Sequence, residues 1–150
     1  MKKYFGILMV VFTLCIVAGC SDGKLKTTPV TGTIKYKGEP VSGATVSFSP
    51  TKEGAGDGAV GRTDDKGVYK LQTAKGNVDA GTTPGEYIVM VTKSESVETG
   101  VTRTDSTGAV IPEMTSKRML PAKYATPGTP LKATVTGKKK DNVFNFDLED

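Results

Sequence analysis

Residues 30–48 read VTGTIKYKGEPVSGATVSF, and this stretch decides the fold class. Apolar residues alternate with polar ones in two runs along it: Val30, Ile34 and Tyr36, then Ala44, Val46 and Phe48. A period of two residues is typical of a half-buried β-strand. The connection between the runs contains glycine and proline, which favour turns. The stretch therefore predicts two strands joined by a short turn.

The same period continues towards the C-terminus. It predicts half-buried strands at 59–63, 68–73, 131–135 and 143–148, and a central strand that is apolar on both faces at 87–92. Asp64-Asp65-Lys66-Gly67 predicts a tight turn between the first two, because aspartate caps its own backbone and glycine tolerates left-handed angles. We expect the last two strands to close the chain as a hairpin.

About seven strands with regular turn signals and no helical period predict an all-β fold, an antiparallel Greek-key β-sandwich. The 18 glycines and 8 prolines agree with short strands and tight turns. A chain of 150 residues that loses its first 19 has room for one domain, which we expect to span 29–150.

The alternation fails between residues 93 and 130, where serine, threonine, glycine and charged residues dominate. We expect a long loop there, and loops of that length are functional, disordered or conceal an extra hairpin. Such a hairpin would pair 100–104 with 108–112 across Asp105-Ser106-Thr107. Tyr124 lies outside any predicted strand, which makes it a candidate for a surface contact or for a strap that pins the segment across the sandwich.

Three segments, VTGTIKYKGEPVSGATVSF, GRTDDKGVYKL and PGEYIVMV, resemble in order the strands of the carboxypeptidase regulatory-like, transthyretin-like domain. The positions that match its pattern are Gly38, Pro40, Val41, Gly43, Ala44, Val46, Thr63, Asp64, Gly67, Tyr69, Pro84, Gly85 and Tyr87. The later RMLPAKYATPGTPLKATVTGKKKDNVFNFDL resembles small secreted lipoproteins of planctomycete-type bacteria that carry this domain alone. The resemblance covers most of residues 28–150.

The resemblance implies a transthyretin-like (prealbumin-like) sandwich that has no catalytic residues of its own, since in carboxypeptidases a separate zinc peptidase domain holds them. The sequence contains no histidine, the usual general base and the commonest metal ligand near neutral pH. We therefore expect no enzyme activity, no cofactor and no metal. Loss of Lys2 and Lys3 would lower the formal net charge from +4 to +2, and we expect no nucleic-acid partner.

The first 19 residues have the layout of a secretory signal peptide: Lys2 and Lys3, then an apolar run to Ala18. That run is shorter than the roughly 20 residues of a membrane-spanning helix. Val17-Ala18-Gly19-Cys20 resembles a bacterial lipobox, which implies that Cys20 carries lipid. Plain cleavage after Gly19 and an uncleaved anchor are the alternatives.

The cysteine content favours lipidation. Of the two cysteines, Cys15 would leave with the signal peptide, and a lone thiol in an oxidising compartment is a liability unless it is modified. We expect 20–28 to form the lipidated N-terminus and a polar tether to the cell envelope. Ser21 is not the aspartate that resembles an inner-membrane retention signal, so the outer membrane is favoured if the cell has two.

Several side chains are candidates for binding. Three carboxylates are candidate calcium ligands: Asp57, Asp64 and Asp65. The predicted turn already explains why an aspartate occurs at Asp64. A carboxylate pair for glycoside hydrolysis lacks a sugar-stacking tryptophan. Tyr36, Tyr69 and Tyr87 fall on the inward phase of their strands, so we expect them in the core. Lys138-Lys139-Lys140 is expected at a solvated turn, with an anion or lipid-headgroup site as the alternative.

The sequence thus predicts a lipid-anchored, non-enzymatic envelope protein that presents a β-sandwich as a structural or interaction module. Its partner, an envelope protein or a glycan, and its oligomeric state are left open. The alternative is a small-ligand lipoprotein that binds carbohydrate or calcium through 93–130.

Overall fold

The computed structural model describes residues 26–52, 56–73 and 80–150. The predicted signal peptide at 1–19 and the predicted lipid attachment at Cys20 lie outside the described residues. Within the described part, the strands are β1 (Thr31–Tyr36), β2 (Glu39–Pro40), β3 (Thr45–Pro50), β4 (Ala59–Arg62), β5 (Val68–Lys70), β6 (Gln72–Thr73), β7 (Gly85–Thr92), β8 (Ser94–Thr104), β9 (Val110–Arg118), β10 (Lys132–Val135) and β11 (Phe146–Leu148).

Two sheets pack face to face. The larger sheet has five strands in the order β10-β7-β3-β4-β6, and every neighbouring pair in it is antiparallel. The smaller sheet is built around β1, which pairs with β11 on one side and with β2 and β5 on the other. The predicted all-β class and the sandwich packing of its sheets are confirmed.

A core of apolar side chains fills the space between the sheets. Phe48 of β3 lies at its centre, with its ring centroid 5.8 Å from that of Tyr87 in its own sheet and 6.3 Å from that of Tyr69 in the other. Phe48, Tyr69 and Tyr87 are all fully buried. Burial of an aromatic side chain of this size contributes about 1.5–3 kcal/mol. These contacts join the two sheets.

The strand β7 is central, as its sequence predicts, because β10 and β3 flank it on both sides. Its odd-numbered residues Tyr87, Val89 and Val91 are fully buried, whereas Ile88 and Met90 on the opposite face are half-buried. The sequence of β7 is apolar on both faces, but the exposure of its side chains still alternates from one residue to the next.

The C-terminal part differs from the prediction. Residues 131–135 and 143–148 were expected to form a hairpin, but β10 pairs with β7 of the larger sheet and β11 pairs with β1 of the smaller sheet. The β1–β11 pair is parallel, so the fold is not wholly antiparallel. The connection, with a 3-10 helix at Lys139–Asp141, therefore carries the chain from one sheet to the other.

The predicted strand at 68–73 is divided in the same way. Its first part, β5, pairs with β1 in the smaller sheet, and its second part, β6, pairs with β4 in the larger sheet. Leu71 lies between the two parts and is fully buried. One run of alternating residues therefore contributes to both sheets, because it crosses the edge of the sandwich where the sheets approach each other.

The sandwich includes at least one residue that was predicted to belong to the tether. Thr28, assigned above to the tether, forms a β-bridge with Thr82: its backbone N donates to Thr82 O at 2.7 Å, and Thr82 N donates to Thr28 O at 3.1 Å. Thr28 is 7% exposed. The ordered sandwich therefore begins at or before this residue.

Helix in the three described ranges is limited to two short 3-10 turns, Ala122–Tyr124 and Lys139–Asp141, neither of which has the length or hydrophobicity of a membrane span.

Candidate interaction surface

A two-stranded ribbon stands out from the sandwich. It consists of β8 and β9, which pair only with each other within the described residues. The prediction of a long loop at 93–130 is therefore wrong for this part of the segment. The alternative, a hairpin that pairs 100–104 with 108–112, is closer to the structure, but the observed strands are longer. The alternation was hidden because neither face of the ribbon packs on a core, so no burial selects apolar residues at every second position.

The tip of the ribbon is a tight turn built by Asp105. Its carboxylate accepts hydrogen bonds from the backbone N of Thr107 at 2.8 Å, the hydroxyl of Thr107 at 2.7 Å and the backbone N of Ala109 at 3.0 Å. These donors, the Thr107 hydroxyl first, hold the pKa of Asp105 below its usual value. Gly108 supplies the left-handed angle, φ 86°, that closes the turn.

A bulge interrupts the ribbon between Glu98 and Thr102. Gly100 adopts φ 80° there, and the Thr99 hydroxyl donates to Glu113 O at 3.1 Å while accepting from Val101 N at 3.2 Å. The two halves of the ribbon on either side keep regular antiparallel pairing. The bulge is a structured feature of β8 that bends the ribbon.

Both faces of the ribbon are open to solvent. On one face, Val110 is 69% exposed and Met114 is 52% exposed, with Pro112 between them on the same strand. The other face carries Glu95 opposite Lys117 and Arg103 opposite Ile111. An isolated two-stranded hairpin is marginally stable in water. A ribbon with apolar side chains on a solvent-exposed face is therefore a surface suited to contact with another molecule.

The two free edges of the ribbon are not equivalent. Backbone N of Asp105 donates to Ala109 O, and backbone N of Met119 donates to Lys93 O, both at 2.9 Å. Because hydrogen-bonded and non-hydrogen-bonded pairs alternate in an antiparallel ladder, the even-numbered residues of both strands direct their backbone groups outward. On β9 one of these is Pro112, which has no N–H to offer. No proline occurs on β8.

The ribbon leaves the sandwich at the end opposite the chain entry. The chain enters at Thr28, beside Thr82, which shortly precedes β7. β7 then runs from Gly85 to Thr92, about 25 Å at the usual rise per residue, and only Lys93 separates it from β8. A tether at the entry end therefore leaves the ribbon on the distal end.

The basic turn Lys138-Lys139-Lys140 lies at the entry end. Val135 pairs with Gly85 at the start of β7, and Thr31 N donates to Asn142 O at 3.1 Å. The segment between β10 and β11 therefore lies beside the N-terminal ends of β7 and β1. All three lysines are exposed, which agrees with the predicted solvated turn. They lie far from the ribbon and do not form one site with it.

Tyr124, the candidate surface contact, is 5% exposed, so that expectation is wrong. Its hydroxyl donates to Glu149 O and accepts from Glu149 N, both at 3.0 Å. The residue instead acts as the strap that was the other expectation, because it ties the segment after the ribbon to the chain following β11. The neighbouring Lys123 ammonium donates to Asp150 O at 2.6 Å.

The candidate calcium ligands do not converge. The Asp64 carboxylate accepts from the backbone N of Lys66 and of Val68, both at 2.9 Å, as the predicted turn requires. Asp65 accepts from the Ser42 hydroxyl at 3.1 Å, and Asp57 lies in a separate segment. Within the described part of the chain, no group of three or more Cys, Asp or Glu side chains is arranged to hold a metal ion.

Two of the three tyrosines predicted in the core are there. Tyr69 and Tyr87 are fully buried, and burial raises the pKa of the Tyr69 hydroxyl, which donates to Phe144 O at 2.9 Å. Tyr36 is only half-buried, because it lies at the C-terminal end of β1. Its hydroxyl donates to Asp150, whose carboxylate also pairs with Lys37 and therefore has a lowered pKa.

No protein-family model matches the sequence, and the search of curated proteins found no match. Among solved structures, the chain is similar to a 9R-lipoxygenase from Cyanothece PCC8801, with a TM-score of 0.34 and 12% sequence identity over 83% of this chain. The chain spans 16% of the length of that lipoxygenase. A similarity at this level carries no argument about fold or function.

Proposed function

We propose that the protein is a non-enzymatic lipoprotein of the cell envelope that is anchored through Cys20 and presents its β8–β9 ribbon to a protein partner. One observation carries the proposal: both faces of the ribbon are exposed, and its apolar residues Val110 and Met114 pack on no core among the described residues. Side chains that stabilise nothing within their own chain are available to stabilise a contact with another.

The relative positions of the ribbon and the chain entry support the proposal. Residues 20–27 would reach at most about 28 Å when fully extended. With the anchor on the Thr28 side, the ribbon is held on the side of the sandwich away from the membrane. This arrangement suits a contact with a molecule located beyond the bilayer surface.

We further propose that the sandwich is of the carboxypeptidase regulatory-like, transthyretin-like type. Support comes from where the matched residues lie: Gly38, Gly43 and Gly67 occupy turns with φ between 70° and 82°, and Tyr69 and Tyr87 occupy the core. These are the places where such residues have a steric reason to occur. An experimental structure with a different strand order would contradict this assignment.

The test uses the lipidated chain in native membranes and two variants. In the first variant, Asn-Gly replaces 94–118, since Met119 N already donates to Lys93 O at 2.9 Å and a two-residue turn fits such a pair. The second is Cys20→Ala. Proteins crosslinked to the chain and recovered with it are identified by mass spectrometry.

We expect the ribbon variant to stay in the membrane but to lose its crosslinked partner. Cys20→Ala is expected to leave the membrane fraction and to take no label from radioactive palmitate. Unchanged crosslinking without the ribbon would contradict its role, and unlabelled wild-type chain would contradict the anchor. No arrangement among the described residues favours the carbohydrate or calcium alternative.

A further inference from the structure

The outer edge of β8 pairs with no other strand in the part of the chain that the structure describes, and its sequence is complementary to itself. Its residues from Ser94 to Thr104 read SESVETGVTRT, with Glu95 and Arg103 at equal distances on either side of Thr99. Val97 and Val101 are likewise symmetric about Thr99. If two copies of this strand run antiparallel about a two-fold axis at Thr99, each Glu95 lies opposite an Arg103 and each Val97 opposite a Val101.

We propose that β8 of one chain pairs with β8 of a second copy, so that two ribbons form one four-stranded sheet. This inference rests on the proposed function in one respect, the use of the ribbon as the contact element. It names the partner as another copy of the chain, whose sandwich the antiparallel pairing places beyond the tip of the first ribbon. An interface of this kind is a symmetric case of strand addition to an exposed edge.

The backbone agrees with this register. The outward-facing residues of β8 are the even-numbered ones, and a two-fold axis at Thr99 places Ser94 opposite Thr104 and Ser96 opposite Thr102. Even-numbered residues therefore meet even-numbered residues, as hydrogen bonding between the two edges requires. Glu95 and Arg103 then fall in the non-hydrogen-bonded pairs, where side chains approach most closely.

Neighbouring registers are disfavoured by charge. An axis moved by one residue to Glu98 places the two Glu98 carboxylates opposite each other, and an axis at Gly100 places Glu95 opposite Asp105. Like charges directly opposite are destabilising, whereas opposite charges are favourable. The charge pattern of β8 thus selects the axis at Thr99.

The bulge between Glu98 and Thr102 lies on this axis. The pairing is therefore carried by the two flanks of each strand, 94–96 and 102–104, which occur twice in the dimer. The other edge of the ribbon offers a weaker template, because Pro112 interrupts the row of outward-facing donors on β9. The structure thus favours β8 over β9 as the paired edge.

The first test reverses charges and reads the mass of the full chain by sedimentation equilibrium in detergent. Glu95 already pairs with Lys93 at 3.2 Å but keeps 49% of its side chain exposed. We expect Glu95→Arg and Arg103→Glu each to weaken the dimer by about tenfold or more. An equimolar mixture of the two variants, or the double variant, is expected to restore it, because every cross-axis pair is again of opposite charge.

The second test addresses the backbone with a matched pair of prolines. Ser96 and Ser116 lie directly opposite each other and both face outward, one on each edge of the ribbon. Pro112 shows that an outward position tolerates proline. We expect Ser96→Pro to abolish the dimer and Ser116→Pro to leave it, with unchanged circular dichroism in both.

A chain that is monomeric at every concentration overturns the inference, as does a dimer that Ser116→Pro and Ser96→Pro weaken equally. A charge-reversal mixture that remains monomeric overturns the proposed register. If the chain is monomeric but the ribbon variant still loses a crosslinked partner, the inference fails while the proposed function stands.

Discussion

Single residues in this protein are constrained most strongly where two backbones approach. At Gly32 in β1, an added Cβ would lie 1.7 Å from Phe144 O, a distance that no side chain can occupy. The smaller sheet closes there, since Phe144 N donates to Thr31 O at 2.9 Å. The absence of a side chain at Gly32 is therefore a condition for the chain after the basic turn to join β1.

We expect Gly32→Ala to destabilise the protein towards the upper end of the about 1–3 kcal/mol typical of overpacking. Chemical denaturation of the purified chain measures the change. Gly137→Ala is the matched control, because a Cβ at Gly137 meets no atom within 4 Å. Its expected effect is within about 0.5 kcal/mol. Equal effects of the two substitutions would show that β1 and the chain at 142–145 can separate without loss.

Asp105 makes the tip of the ribbon sensitive to pH. Its pKa is lowered from the ordinary value of 3.8, first by the Thr107 hydroxyl and then by backbone donors, so the turn favours the carboxylate form. This stabilisation is fully present above the unfolded-state pKa and is lost as the pH falls through the lowered folded-state value. The turn at the tip is therefore more stable at neutral pH than in acid.

We expect the amide hydrogens of Thr107 and Ala109 to exchange faster with solvent below about pH 4, relative to their intrinsic rates. Hydrogen exchange followed by NMR measures this change. Asp105→Asn keeps the turn geometry but has no carboxylate, so its exchange should show no such step. A step that persists in Asp105→Asn would assign the pH dependence to another group.

At the scale of elements, the ribbon and the sandwich depend on each other very little. The residues of β8 and β9 are exposed or, at Val97 and Ile111, half-buried, and none is buried. The strap formed by Tyr124 and Glu149 holds the segment that follows the ribbon independently of it. The sandwich is thus organised without a contribution from the strands that carry the proposed contact.

We therefore expect the variant with Asn-Gly in place of 94–118 to unfold at a free energy within about 0.5 kcal/mol of the intact chain, in the range of surface changes. Urea denaturation followed by circular dichroism measures the difference. A loss of several kcal/mol would mean that the ribbon packs on the sandwich. Tyr124→Phe serves as a positive control, since it removes both hydrogen bonds with Glu149, each of which contributes about 0.5–1.5 kcal/mol.

At the scale of the whole molecule, the two ends of the sandwich differ. The chain entry and the basic turn lie at one end, and the ribbon leaves from the other. The length of β7 is about 25 Å, and the ribbon adds up to about 35 Å beyond it. In an anchored chain, Lys139 and Thr107 should therefore lie at different heights above the bilayer.

Energy transfer to an acceptor on lipid headgroups measures these heights. With Cys15 removed and Cys20 lipidated, Lys139→Cys or Thr107→Cys supplies the one free thiol for the donor dye. We expect strong transfer from residue 139 and weak transfer from residue 107 in vesicles. Stronger transfer from residue 107 would place the ribbon against the membrane and contradict a contact beyond it.

The sequence by itself determined the local features of this protein. The alternation of apolar and polar residues located most strands to within one or two positions, and Asp64 and Gly67 identified the turn between β4 and β5. Both features are local, because side-chain direction and turn angles depend on neighbours along the chain. The core positions of Tyr69 and Tyr87 followed from the same period. The ribbon that forms the proposed contact could be predicted only in part from the sequence. Because both of its faces are exposed, burial does not select an alternation of apolar and polar residues there.

The tertiary structure alone decided which strands are neighbours. Alternation at 131–135 and 143–148 is compatible with a hairpin, yet each strand finds a different sheet, and β11 even runs parallel to β1. Strand pairing depends on contacts between residues that are far apart in sequence, and a local sequence pattern does not reveal the energies of those contacts. For the same reason, the burial of Tyr124 and the placement of the ribbon opposite the chain entry emerge only when the two sheets are packed together.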